Sequence, residues 1–213
     1  MLRAIPRRIP CLTLDGLYMT RSTIITMQSS MKIGADKVIL RRCIEGLAVI
    51  DDNCQTIVLH RCDSVEDLCG IPLPPSNSME FDECASNDSH IMSSTCKWNG
   101  DTVTIMNSDS SCIKVILVFI GAPLNGHVFC RWPRVTTLKL TAKGDFVMKF
   151  PVGMLKAIIS SRREVAGQEN LEKDDNGMDS ESFHPIKVLH VHGGPALSRK
   201  ESTWFEEHVR DFV

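Results

Sequence analysis

"CIKVILVFIGAPLNGHVFCRWPRVTTLKLTAKGDFVMKFP", residues 112–151, contains the longest apolar run of the chain, within residues 113–120. It divides into strand-like pieces at 112–120, 126–132, 135–141 and 146–150. Gly121-Ala122-Pro123-Leu124-Asn125-Gly126, Pro133 and Lys143-Gly144 stand between them as turns. Links that short suit antiparallel neighbours, because parallel strands need long crossovers. Just upstream, "CKWNGDTVTIM" (96–106) sets Asn99-Gly100 between strand-like flanks, the pattern of a type I′ hairpin. The fold class expected from this stretch is α+β, with a mainly antiparallel sheet formed as a meander over 96–150.

Working outward, Pro151 suits the first turn of a helix, where its missing N–H is of no consequence. Met154, Leu155, Ile158 and Ile159 then form an apolar stripe over about 152–163. "IKVLHVHGG" (186–194) reads as a strand stopped by glycines. Ser198-Arg199-Lys200-Glu201 has the spacing of a capping box. It opens a C-terminal amphipathic helix with Trp204, Phe205, His208, Val209 and Phe212 on one face. Towards the N-terminus, "GLAVIDDNCQTIVLH" (46–60) reads as a hairpin around Asp51-Asp52-Asn53, and "DSVEDLCG" (63–70) as one or two helical turns. No internal repeat stands out at a period of 20–50 residues.

Charge comes in blocks. Residues 111–163 carry nine basic side chains and one acid, while residues 63–110 carry nine acids and one lysine. Segments 72–92 and 164–182 are acidic and rich in loop-forming residues, and are expected to be flexible insertions. Residues 1–30 read as a basic N-terminal arm preceding one domain over 31–213. Residues 1–22 have part of the composition of an organelle-targeting segment, but Pro6 and Pro10 interrupt a helix there. Nine cysteines without a compact pattern make a poor disulfide framework. An intracellular, cytoplasmic or nuclear protein with free thiols is expected.

Side chains alternate across a strand. Arg131, Lys139 and Lys149 therefore fall on the polar positions of three successive strand candidates, with Phe129 beside Arg131. Arg134, Lys143, Lys156, Arg162 and Arg163 would extend the stripe. A basic sheet face of this kind points to a non-enzymatic binding or assembly protein, able to oligomerise, that contacts an anionic macromolecule or an acidic membrane surface. A viral matrix-like or other structural protein fits the description, and nucleic acid is one such partner, with Phe129 as a stacking residue.

Two alternatives follow from other residues. His190 and His192 share a strand face, and with His184 they would form a zinc site for a metal-dependent hydrolase. His60/Cys62 with His127/Cys130 is a second thinkable ligand set. No Cys-x-x-Cys supports either, and no cofactor is expected on the main reading. The apolar face of the C-terminal helix would instead serve an adaptor that docks a protein partner.

Overall fold

A computed structural model describes residues 8–16, 33–42, 54–61, 76–85, 98–121, 132–169 and 183–213. One sheet of eight strands runs through it. The strands are β1 (Ile9–Asp15), β2 (Ala35–Arg41), β3 (Thr56–His60), β4 (Ser78–Asp82), β5 (Thr102–Met106), β6 (Thr137–Thr141), β7 (Val188–His192) and β8 (Asp211–Phe212). They lie in chain order and every neighbouring pair is parallel. The antiparallel meander expected from the sequence is thus replaced by a parallel α/β arrangement wound in one direction.

The pivotal misreading is the apolar run. Residues 110–120 form helix α1 (Ser110–Ile120), not a strand. Asp109 caps it by accepting a hydrogen bond from the Cys112 N–H at 2.6 Å. Cys112, Ile113, Ile116, Leu117, Phe119 and Ile120 are buried, whereas Lys114 and Val118 are exposed one turn apart. That is helical spacing. With a helix between β5 and β6, the connection is long enough for a parallel crossover. Residues 146–150 form no strand, and Asn99-Gly100 leads into a single strand, not a hairpin. Gly100 is needed there for space: a Cβ would lie 2.5 Å from the Ser76 carbonyl oxygen. Residues 46–53, 63–70 and 126–131 lie outside the described residues. β3, within the second half of the proposed 46–60 hairpin, pairs in parallel with β2 and β4.

The acidic segment 72–92, expected to be a flexible insertion, contains β4, with Met79 and Phe81 fully buried. Helix α2 (Val152–Glu169) follows Pro151 as expected and carries on into the second acidic segment. α3 (Arg199–His208) opens with the expected capping box: the Ser198 hydroxyl accepts from the Glu201 N–H, and the Glu201 carboxylate accepts from the Ser198 N–H at 2.8 Å.

Strand order explains the layering. Crossovers between parallel strands are right-handed almost without exception. When each strand is added on the same side of the last, a fixed hand puts the described helices on the same face of the sheet. α1 packs on α2 and α2 on α3, as that requires. Two rows of apolar side chains point to the helices. Leu12, Val38, Ile57, Met79, Val103, Leu138 and Leu189 form one; Leu14, Leu40, Leu59, Phe81, Ile105, Leu140 and Val191 form the other. From β2 to β6 both rows are at most 1% exposed. Burying each such side chain contributes roughly 1.5–3 kcal/mol. Trp132 fills the junction of the short and long coils, its ring 5.1 Å from Phe119, 5.2 Å from Trp98 and 6.1 Å from Phe81.

A repeat is present after all. Strand starts at Ala35, Thr56, Ser78 and Thr102 are 21, 22 and 24 residues apart. After β1, β2, β3, β4, β5 and β7 the next residue turns the chain with positive φ: Gly16, Arg42, Arg61, Glu83, Asn107 and Gly193. Its N–H reaches the end of the next strand, as from Arg42 to His60 O, Arg61 to Asp82 O and Glu83 to Met106 O. The sequence trace of this period is faint: VILRRC (38–43), IVLHRC (57–62) and MEFDEC (79–84). Among the described residues, no helix is long and apolar enough to cross a membrane.

Candidate functional site

Among the described residues, no helix lies on the other face of the sheet. Parallel sheets are ordinarily covered on both sides, so this bare face is the feature that asks for a function. Three rows of side chains lie on it. The first is Cys11, Lys37, Thr56, Ser78, Thr102, Thr137, Val188 and Asp211. The middle row is Thr13, Ile39, Val58, Glu80, Thr104, Lys139 and His190. The third is Asp15, Arg41, His60, Asp82, Met106, Thr141 and His192.

The two halves of this face differ in charge. Over β1–β4 the cations meet acids. Lys37 Nζ donates to Glu80 Oε2 at 2.9 Å, reaching across β3. His60 Nδ1 stands 3.0 Å from Asp82 Oδ2. At the strand ends Arg42 bonds Asp15 at 2.8 Å and Arg61 bonds Glu83 at 2.5 Å. The Arg61 hydrogen bond holds the Glu83 carboxyl below the usual carboxylate range. Arg41 stands beside Asp15 in register.

Over β5–β7 the pattern changes. Thr102, Thr104, Thr137 and Thr141 surround Lys139, whose neighbours in register are Thr104 and His190. No described carboxylate pairs with Lys139. Lys143 lies two residues beyond β6. Lys149 is brought to the same end of the sheet, because the adjoining Met148 N–H bonds Gly193 O just past β7. Gly193 permits that approach; its φ is +70° and a Cβ there would lie 2.7 Å from the Ala142 Cβ. Lys139, Lys143, Lys149, His190 and His192 are thus gathered around the C-terminal ends of β6 and β7. The acids nearby are Asp145 in the loop and Asp211 on β8, whose Oδ2 is 3.6 Å from His190 Nε2. That nitrogen is buried and has no hydrogen-bond partner.

Compared with family models, curated proteins and solved structures, the chain matches none. The site must therefore be judged on its geometry.

The remaining sequence candidates are dispersed. Arg131 and Phe129 lie outside the described residues. Arg134 is at the opposite end of β6 from Lys143. Lys156 and Arg163 belong to α2, on the covered side, where the Lys156 ammonium lies 5.3 Å from the Trp204 ring centre. Arg162 is internal. It occupies the next turn of the buried stripe Leu155–Ile158–Ile159. Its guanidinium has five N–H groups, and five carbonyls receive them: His184 from Nε, Ile120 and Trp132 from Nη1, Pro133 and Val135 from Nη2, at 2.6–3.2 Å. Burial pulls its pKa down to about 10. Arg162 is a structural tie between the two longest coils and cannot belong to a surface patch.

His184 lies at the start of the β7 segment, its N–H on Pro133 O, far from the strand end that carries His192. Among the described residues no three His, Cys, Asp or Glu side chains are grouped to hold a metal. Cys62, His127 and Cys130 are outside the described residues. The described cysteines Cys54, Cys84 and Cys112 are buried, and burial raises the Cys54 and Cys112 thiols above their ordinary range. The apolar face of α3 is turned inward. Phe205 is fully buried and stacks on Phe212 at 5.2 Å, and Trp204 stacks on His208 at 3.9 Å.

Proposed function

We propose that this chain is a non-enzymatic binding protein that holds an anionic partner on the bare face of its sheet, over β5–β7. The observation that carries this reading is the placement of Lys139, His190 and His192 on a part of that face where Lys139 has no acid beside it in register, with Lys143 and Lys149 in the loop that follows β6. Elsewhere on the same face the positive charges are met by carboxylates of the chain itself.

The physical case is one of electrostatics at a half-buried surface. Two unit charges 4 Å apart attract by about 4 kcal/mol at an effective dielectric of about 20, against about 1 kcal/mol in bulk water. Lys139 is flanked by side chains on both neighbouring strands and is half-buried. Part of its hydration is therefore already lost before a partner arrives. The rigid, β-branched Thr104, Thr137 and Thr141 around it offer hydroxyls that donate to an anion or accept from a peptide N–H, whereas the Thr102 hydroxyl donates to Asp101.

Retention on heparin-agarose tests this. The triple variant Lys139→Met, Lys143→Met, Lys149→Met should elute at clearly lower salt than the parent protein. A control with the same net charge, Lys114→Met, Arg163→Met, Lys200→Met, changes exposed residues of the helices and should elute with the parent. Equal shifts for both triples would show that only total charge matters and would overturn the reading. So would failure of the parent protein to be retained.

A further inference from the structure

We infer that the anionic partner is an acidic segment of a protein, seated with a carboxylate at Lys139, and not a nucleic acid or a lipid surface. This rests on the anionic-partner reading above and narrows it.

The first argument is the size of the seat. Neighbouring strands are about 4.8 Å apart. Lys139 and His190 are on adjacent strands, and Lys143, Lys149 and His192 adjoin the same strand ends. The patch of lysine and imidazole side chains is therefore about two strands wide, roughly 10 Å. That suits one or two carboxylates. A nucleic-acid backbone needs a row of cations that follows successive phosphates, and a membrane needs a broad cationic plane.

The second argument is what surrounds the seat. Glu80 and Asp82 on β4 stand two strands from Lys139, and Asp211 and Asp145 lie on its other sides. Two strand spacings are about 10 Å, close to the screening length of about 8 Å at physiological salt. A phosphate chain leaving the seat towards β8 or over the loop after β6 would run onto Asp211 and Asp145. A polypeptide with one or two acidic residues would not, because its flanking residues can be neutral or basic.

The third argument is the chemistry of the face. Its strand positions carry no Phe, Tyr or Trp on which a base could stack, and the exposed Phe146 ring lies off the sheet, in the loop between Lys143 and Lys149. They carry instead a run of hydroxyls, Thr56, Ser78, Thr102 and Thr137, beside the row that contains Lys139. Hydroxyls both donate and accept, which suits the alternating N–H and C=O groups of a peptide backbone.

Fluorescence anisotropy on the full chain tests the assignment with three labelled probes: a short peptide alternating Glu and Ser, a single-stranded RNA of equal formal charge, and a phosphatidylserine vesicle. The peptide should bind about tenfold more tightly than the RNA at matched ionic strength. Lys139→Met should weaken peptide binding about tenfold, the size of one charge-assisted hydrogen bond. Lys139→Arg should restore most of it, and Lys37→Met, on the self-paired half of the face, should change it less than about twofold. RNA or vesicle binding that equals or exceeds the peptide's, with the heparin difference intact, overturns the acidic-protein assignment and leaves the anionic-partner reading standing. Loss of the heparin difference removes both. Peptide binding that is unchanged in Lys139→Met also overturns the assignment.

Discussion

From β2 to β5 the chain advances by coils of 21 to 24 residues, each strand ending in the same left-handed turn. From β5 to β7 the coils lengthen to 35 and 51 residues, and full helices form the returns. In the short coils three non-glycine residues, Arg42, Arg61 and Glu83, sit at φ 52°. A left-handed conformation costs such residues about 1–2 kcal/mol, offset by the ladder hydrogen bond that each turn secures for the next strand. There the bare face is also closed upon itself, by Lys37–Glu80 and His60–Asp82. In the long coils regularity gives way. Arg162 ties loop carbonyls together from inside, and on the outside no described carboxylate pairs with Lys139. The contrast teaches that one sheet can separate its tasks. The repetitive half satisfies its own polar groups, and the irregular half leaves charges available to something else.

Several substitutions can break or sharpen that contrast. Arg162→Met should do the most damage, on the order of 5 kcal/mol, because five carbonyls, four of them in buried hydrogen bonds, lose their donor. Arg163→Met, exposed on the next residue, should change stability by less than about 0.5 kcal/mol. Equal urea midpoints for the two variants would show that the long coils are not tied together as described. Phe81→Ala in the short coils should cost about 4 kcal/mol, since its ring lies in the fully packed row against Trp132. If Phe81→Ala costs no more than an exposed substitution, the acidic segment around β4 is not part of the core.

Gly193→Ala and Glu83→Gly test the same position of the coil in the two regions. The first should cost about 2 kcal/mol, from strain at φ +70° and the collision with Ala142. The second should stay within about 1 kcal/mol of neutral, since relief of strain is set against the greater freedom of glycine in the unfolded chain. Thermal melts of both variants measure the difference. Ser198→Ala should cost about 1 kcal/mol through loss of the α3 cap. The Ser198 backbone N–H, and then its hydroxyl, hold the Glu201 carboxyl below the ordinary range. A depressed acid stabilises the fold at pH above its unfolded value and loses that contribution as pH falls through the folded value. The difference between parent and Glu201→Gln should therefore be full at neutral pH and shrink in acid below about pH 4. A difference that grows on acidification would contradict the cap.

What the sequence made legible was local. Pro151 and the Leu155–Ile158–Ile159 stripe gave α2, Ser198 with Glu201 gave the capped α3, and alternation placed Lys139 opposite Leu138 and Leu140. The parallel sheet was hidden because its decision lay in α1. The run Cys112–Ile120 is rich in β-branched residues and short enough to pass for a strand, and the signal against that was the single cap Asp109. The repeat was hidden because each coil repeats only a few positions, as in IVLHRC and MEFDEC, with unlike residues between them. Arg162 has a trace in the sequence, since it continues the apolar stripe by one turn, but nothing local says that five carbonyls wait there. The gathering of Lys149 with His192 depends on the Met148–Gly193 hydrogen bond, a contact between residues far apart in the chain.

The most direct measurement is a titration of isotope-labelled protein with the acidic peptide, followed by amide and side-chain NMR shifts. Shifts concentrated at Thr104, Lys139, Thr141, His190 and His192, with α1, α2 and α3 unmoved, are what the account predicts. Shifts centred on the helices, or spread evenly over β1–β4, would contradict it.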